Sequence, residues 1–357
     1  MAWAITGGAG HVGQALCARL RSDGHAVRLL DVCAPPHPPE GAECLVGSVC
    51  SAADVRRLLC APRAAAVAAV VHLAGAGMSG ADMLDAQLCH RVNVEGTRNV
   101  VACATRLAEE SPTPVLLIYL STYNVCFHGQ EVYGGDETAP YSPAAAHTDC
   151  YGASKAEAER LVLAADGAAD GALRTVALRP GAIFGEAETR HLPRIIRLMK
   201  LGLFRFAIGS AEARQDWLHV SNLVDAVLRV ADALTTAPSA PPRGLPYFIN
   251  DDEPVNTLAF FSPLAKALGC RDQPFVRVPL WVAIVMAWVC EMMWYWLRVP
   301  PFMTRAEVFK SAVQHTYSCR RAKEDWGYKP TVNSTTAMER LAMTFRVQHE
   351  RGAPLGR

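Results

Sequence analysis

Short apolar runs alternate along the chain with segments of helical composition. Ala2-Trp3-Ala4-Ile5, Ala26 to Leu30, Glu43 to Val46, Val67 to Leu73, Val115 to Leu120 and Leu173 to Leu178 read as strands. Gln14 to Leu20, Ala52 to Leu59, a stretch around Val92 to Leu107 and Ala156 to Leu163 read as helices. Val115 to Leu120 is apolar throughout, as a central strand covered on both faces must be. Strands alternating with helices predict an α/β fold, a doubly wound parallel sheet with helices on both faces.

The pattern changes beyond Gly185. Pro193 to Leu203 reads as an apolar and basic helix, Gln215 to Val220 as a strand, Leu223 to Leu234 as a helix and Tyr247 to Asn250 as a short strand. Tyr123 to Asp149, rich in Gly, Pro, Asp and His, reads as a long loop, and loops of that length are usually functional. Thr235 to Pro246 reads as a Pro- and Ala-rich surface loop. No repeat of fixed period is evident.

Leu280 to Leu297 is apolar apart from Glu291 and carries Trp281, Trp288, Trp294, Tyr295 and Trp296. As a helix it rises roughly 27 Å, against a hydrocarbon core of about 30 Å. Three arrangements follow. A spanning helix would hold Glu291 in lipid. An interfacial helix would set Glu291 and the aromatic rings at headgroup level. The third is a soluble lid over an apolar pocket. Pro300-Pro301 ends the helix in each case.

With 357 residues and a net charge of +1, the chain is long enough for one large α/β domain or a domain with a smaller lobe. No basic run marks a nucleic-acid surface. The 12 cysteines lack metal-type spacing, so no metal is expected, and reduced thiols facing a cytosol are the simplest account. Met1 runs almost directly into the first strand, so no signal or transit peptide is expected, and whether a natural segment precedes Met1 is left open.

Chemistry enters at the strand ends. The first strand runs into Thr6-Gly7-Gly8-Ala9-Gly10-His11-Val12-Gly13 and then a helix. Glycines there let the backbone turn tightly and approach a pyrophosphate at the helix N-terminus, in the Rossmann manner. Asp31 ends the second strand, suited to the adenosine ribose hydroxyls and repelling a 2′-phosphate, which favours NAD over NADP. Ser121-Thr122 ends the central strand at the carboxyl edge of the sheet. Tyr151 and Lys155 lie four residues apart, hence on one helical face. A cation within a few Å lowers a phenol's pKa from about 10 by roughly 1–3, toward the range for proton exchange with an alcohol or ketone.

These motifs, with Asn93-Val94-Glu95-Gly96-Thr97, Leu178-Arg179-Pro180, Ile183-Phe184-Gly185 and Trp217-Leu218-His219-Val220, resemble the extended short-chain dehydrogenases/reductases in order and spacing. Within them the chain looks like the 3β-hydroxysteroid dehydrogenase/isomerase branch, closest to its 42E members. Arg190-His191-Leu192-Pro193-Arg194, Tyr247 to Asp251, Thr304 to Val308 and Val313 to Thr316 carry that nearer likeness.

The resemblance implies Tyr151 as proton donor or acceptor, and Lys155 as the cation beside it that also holds the nicotinamide ribose. Thr122 falls at the position of the family's catalytic hydroxyl, with Ser121 as its neighbour. Gly7, Gly10, His11, Val12 and Gly13 fall on the cofactor loop, Asp31 on the adenosine ribose, and Asn93 near the cofactor. Ser48 stands where many relatives have an adenine-contacting Asp.

The implied domains are an NAD-binding Rossmann domain over 1–180, a substrate lobe over 181–345 that returns some elements to the core, and a polar tail over 346–357. The implied activity is NAD-dependent interconversion of a secondary hydroxyl and a ketone on an apolar substrate, a sterol or steroid. No residue stands out for an isomerase step. A sugar-nucleotide epimerase or reductase, and a non-catalytic NAD-binding sensor or scaffold, are the alternatives. Membrane association facing the cytosol, at the endoplasmic reticulum, is expected, with a cytoplasmic protein as its alternative; a homodimer is compatible with this reading.

Overall fold

The computed structural model describes residues 2–35, 37–60, 66–188, 191–210, 212–236, 242–272 and 276–350. Seven strands form the central sheet in the order Leu245–Ile249, Leu173–Pro180, Val115–Leu120, Val67–His72, Ala2–Thr6, Ala26–Asp31, Glu43–Val46. Every neighbouring pair is parallel. The fold is the doubly wound Rossmann type.

The chain order reverses on either side of Ala2–Thr6, which pairs with Ala26–Asp31 and with Val67–His72. A crevice opens at the carboxyl ends of the strands where such a reversal occurs, and ligands of open α/β sheets bind there. Thr6 lies opposite both Leu30 and His72 in register. The buried His72 imidazole fixes that end: Nδ1 is 2.6 Å from Thr6 Oγ1 and Nε2 is 2.9 Å from Thr97 Oγ1.

Side chains alternate across each strand, and this builds two apolar layers. Ile5, Leu29, Val71, Leu116 and Ile118 face one layer, against Leu16, Leu20, Val227 and Val230 of the helices His11–Ser22 and Val220–Thr236. Ala4, Leu30, Val70, Leu117 and Tyr119 face the other, against Val55, Val100 and Val162. The chain beyond residue 180 thus returns the strand Leu245–Ile249 and the helices Val220–Thr236 and Arg320–Trp326 to the core.

A smaller lobe packs Phe184, Leu192, Ile196, Trp217, Phe260, Phe261 and Met338 together. The helices Thr257–Ala267, Arg305–Ala312 and Ser334–Glu350 beyond the core, and Arg320–Trp326 packed on it, were not marked by the hydrophobic pattern. The segment Tyr123 to Asp149, expected as a loop, contains the short strand Val132–Gly135, paired in parallel with the distant His315–Tyr317. The helix expected around Val92 starts earlier, at Ala86, and passes through a π-helical turn over His90–Glu95 before Gly96–Glu110. Arg190 and residues 237–241 of the expected surface loop lie outside the described residues, as do residues 351–357 of the expected tail; the start of that tail is helical to Glu350.

Leu280–Leu297 is one helix, closed by Arg298 in the left-handed conformation, φ 56°. Ala283, Ala287 and Glu291, four residues apart on one face, are buried, and the two alanines pack against Val308. Trp281, Met286, Trp288, Tyr295 and Trp296 are exposed, Trp296 to 82%. Glu291 therefore faces neither lipid nor headgroups. Its carboxylate accepts from the Arg305 backbone N–H at 2.7 Å and pairs with the Arg305 guanidinium at 2.7 Å. The expectation of Glu291 at the outer face is corrected: the second helix neutralises it from within, and the outer face carries no charge in exchange.

Candidate active site

Gly7 adopts φ +72°, and a Cβ there would meet Ala74 N at 2.8 Å, so the first loop runs against the segment that follows Val67–His72. A Cβ on Gly13 would lie 2.5 Å from Gly7 O, which places the helix directly on the loop. Gly10 is the N-cap of His11–Ser22 and supplies no side-chain cap, while Arg19 and Arg21 stand in the last turn. The N-terminal turn, with His11, Val12 and Gly13, is thus open to an anion, as the helix dipole favours.

Asp31 Oδ2 accepts from Ala9 N at 2.9 Å, and Oδ1 accepts from Val32 N at 2.7 Å. This carboxylate ends the second strand beside the loop. Open backbone donors, a left-handed glycine and a strand-end carboxylate fit a dinucleotide. Ser48 is occupied locally, its N–H donating to Asp54 and its hydroxyl accepting from Cys50 N at 3.2 Å. Burial lowers the pKa of His11, against the opposing charge of Glu188.

Asn93 lies on the π-helical turn, a feature frequent at functional sites. Its side chain exchanges two hydrogen bonds with Ala76, at 2.8 and 2.9 Å, and donates to Ser154 Oγ at 2.9 Å. It therefore ties segment 74–77 to the helix Cys150–Ala164. The first glycine loop touches that segment at Ala74. Tyr151 touches it at Gly77, where an added Cβ would be 3.5 Å from Tyr151 Cβ.

Asp149 caps the Tyr151 helix, its Oδ1 accepting from Gly152 N at 2.6 Å. Tyr151 and Lys155 are both buried. Lys155 Nζ donates to Leu120 O at 2.6 Å and sits 4.0 Å above the Tyr119 ring. Burial pulls its pKa down to about 7, with Glu159 opposing. The ammonium therefore stands at the strand end that carries Ser121 and Thr122.

The two hydroxyls differ. Ser121 Oγ donates to the fully buried Glu159, which also accepts from Tyr141 OH at 2.8 Å and pairs with Arg179 at 2.6 Å. Thr122 Oγ1 accepts from Asn124 N at 3.2 Å and Asn124 Nδ2 at 2.8 Å. With its lone pairs engaged, a hydroxyl keeps its proton to donate. Ser121 serves a buried ion pair, whereas Thr122 presents a donor.

Sequence reasoning did not single out Asp149, Glu159, Arg179 or Lys310 for this site. Asp149 carried a local signal, since it directly precedes a helix. The Glu159–Arg179 and Asp149–Lys310 pairs join residues 20 and 161 positions apart, and periodicity does not reach across such separations.

A model of the 3-beta hydroxysteroid dehydrogenase/isomerase family matches residues 4–280. The chain belongs to that family. It is similar to human short-chain dehydrogenase/reductase family 42E member 1, 39% identical over 335 residues, covering 91% of this chain and 83% of the relative. It is also similar to the 3 beta-hydroxysteroid dehydrogenase/Delta 5-->4-isomerase of Mycobacterium tuberculosis (strain CDC 1551 / Oshkosh), 32% identical over 348 residues, covering 94% and 87%. Among solved structures, MoeE5 in complex with UDP-glucose and NAD superposes with a TM-score of 0.71 at 19% identity, covering 98% of this chain and 99% of that one. The chain is an NAD-dependent oxidoreductase of the short-chain dehydrogenase/reductase type.

Proposed function

We propose that the protein interconverts a secondary alcohol and a ketone on an apolar substrate of the sterol or steroid class, with Tyr151 as the proton-transfer residue. The observation that supports this reading is that Lys155, one helical turn from Tyr151, bonds Leu120 O two residues before Thr122, while Tyr151 lies against Gly77 of the segment that the glycine loop touches at Ala74. The substrate class is supported by the family and by the apolar helix Leu280–Leu297. Leu280, at the start of that helix, packs against the cluster of Tyr123, Val125 and Ala156, the last on the Tyr151 helix.

NAD supplies the hydride acceptor or donor. In this reading Gly7, Gly10, His11, Val12 and Gly13 hold its pyrophosphate on backbone donors, Asp31 holds the adenosine ribose, and Asn93 keeps segment 74–77 in place. Thr122 donates to the substrate oxygen. The Tyr151 phenolate takes the hydroxyl proton as the carbonyl forms, and returns it in reduction. Lys155, held by Leu120 O, stabilises the phenolate and hydrogen-bonds the nicotinamide ribose.

The exposed apolar face seats the protein in the plane of a membrane surface, the endoplasmic reticulum with the catalytic domain toward the cytosol. Eighteen residues are short for a span, and the inward ion pair of Glu291 with Arg305 keeps the helix on the protein. The fold also accommodates nucleotide sugars in other proteins, but a sugar-nucleotide substrate leaves that face unexplained.

The test is turnover with NAD across sterol alcohols and UDP-sugars. Sterol oxidation that drops at least about a hundredfold in Tyr151→Phe, with NAD affinity kept, is expected. Turnover of UDP-sugars alone would overturn the substrate class, and NAD binding without turnover of any alcohol would leave a sensor in place of an enzyme.

A further inference from the structure

Lys310 reaches the Tyr151 helix from a distant part of the chain. Its ammonium is 2.9 Å from Asp149 Oδ2 and 6.0 Å from the centre of the Tyr151 ring. Asp149 is the N-cap of the helix, bonded to Gly152 N through its other oxygen. One lysine thus holds the capping carboxylate and adds a cation beside the phenol.

Lys310 is itself held firmly. Its helix, Arg305–Ala312, opens with a capping box in which Thr304 and Glu307 satisfy each other's backbone N–H groups. Glu307 also pairs with Arg194 and accepts from Gly80 N at 3.2 Å. Glu291 receives the Arg305 N–H and guanidinium, and the Phe309 ring packs on Gly129. A helix fixed at four places does not deliver a wandering lysine.

The groups around the phenol divide by charge. Lys155 comes from the Tyr151 helix, Asp149 from its cap and Lys310 from the facing helix. Tyr119 and Tyr123, from the central strand end and the turn after it, are raised by burial and stay neutral near pH 7. Cys89 is pushed up to about 12 and the Cys150 thiol is also raised, both by burial first, with Asp149 and then Asp85 adding to each, and Cys150 and Asp82 also adding to Cys89. His315, from the strand that follows Lys310, is pulled down to about 4 by burial and is neutral. His147, from the segment before the cap, lies against Gly152 and is also lowered by burial, with Asp149 opposing. A near cation favours phenolate and an anion disfavours it. Without Lys310, Lys155 alone would offset the buried Asp149.

We infer that Lys310 is a positioning residue for Tyr151: it neutralises the Asp149 cap and, with Lys155, holds the phenol in the range where it exchanges protons. The inference rests on Tyr151 being the proton-transfer residue.

The experiment is a tyrosinate absorbance titration of the full-length protein with NAD, taken as the difference between each Lys310 variant and the same variant carrying Tyr151→Phe. It needs no substrate, so its failure is separable from failure of the sterol assay. In Lys310→Met the Tyr151 titration is expected to move up by roughly one pH unit, and Lys310→Arg restores it. Where a substrate is turned over, the acid limb of kcat/KM moves up in step. A Tyr151 titration that is the same in wild type and Lys310→Met overturns the inference, even if the variant loses thermal stability. Should Lys310→Met fail to fold, Lys310→Gln, which keeps a hydrogen bond to Asp149, gives the same reading: an upward move supports the inference and an unmoved titration overturns it.

Discussion

At the scale of residues, the hydroxyl pair Ser121-Thr122 separates structure from chemistry. Sequence left the two adjacent and ambiguous, because strand-end hydroxyls look alike until their partners are known. Glu159 accepts the Ser121 hydroxyl, while Asn124 fills the lone pairs of Thr122. Thr122→Val is expected to lower kcat by on the order of a hundredfold with thermal stability nearly kept, as removal of one donor to a developing charge does. Ser121→Ala is expected to cost about 1–2 kcal/mol of stability, since Glu159 loses one donor among several. Parallel steady-state rates and melting curves check both; if Ser121→Ala is the variant that loses activity, the assignment reverses. The proposed roles of Tyr151, Lys155, Asp31 and the glycine loop could be argued from sequence because their spacing is local. Those of Lys310, Glu159 and Arg179 could not, because their partners come from other elements.

At the scale of elements, the central strands Ala2–Thr6 and Val115–Leu120 were readable because they are buried and almost wholly apolar on both faces, and Leu280–Leu297 because eighteen residues carry one charge. Val132–Gly135 was not, since two glycines weaken its strand character and its partner lies some 180 residues away. Thr257–Ala267 hid its helical period behind Pro263 and an apolar surround. Arg305–Ala312 did carry a signal, the Thr304-to-Glu307 capping box. The helix Leu280–Leu297 buries only a narrow Ala283, Ala287, Glu291 seam, so its outward rings face water or a membrane. Trp288→Glu with Trp296→Glu is expected to cut binding to phosphatidylcholine vesicles by on the order of tenfold or more, with NAD affinity unchanged. Flotation of the wild type and the double variant checks this, and equal flotation would remove the membrane role of the helix.

At the scale of the whole molecule, the sheet reversal, the segment 74–77 and the helix Cys150–Ala164 bring a dinucleotide loop and a tyrosine to the same edge. Fold class and cofactor followed from strand–loop–helix order, which is written locally. The lobe was less legible, because its helices are defined by what they pack on. That lobe packs Leu280 of the apolar helix near Tyr123 and brings Lys310 to the Asp149 cap. The most direct measurement is isotope transfer from a sterol bearing deuterium at its secondary alcohol carbon. Deuterium is expected in the reduced nicotinamide with wild-type protein and is absent with Tyr151→Phe that still binds NAD. Transfer that persists in Tyr151→Phe, or that occurs from a deuterated sugar nucleotide and from no sterol, would contradict the assignment.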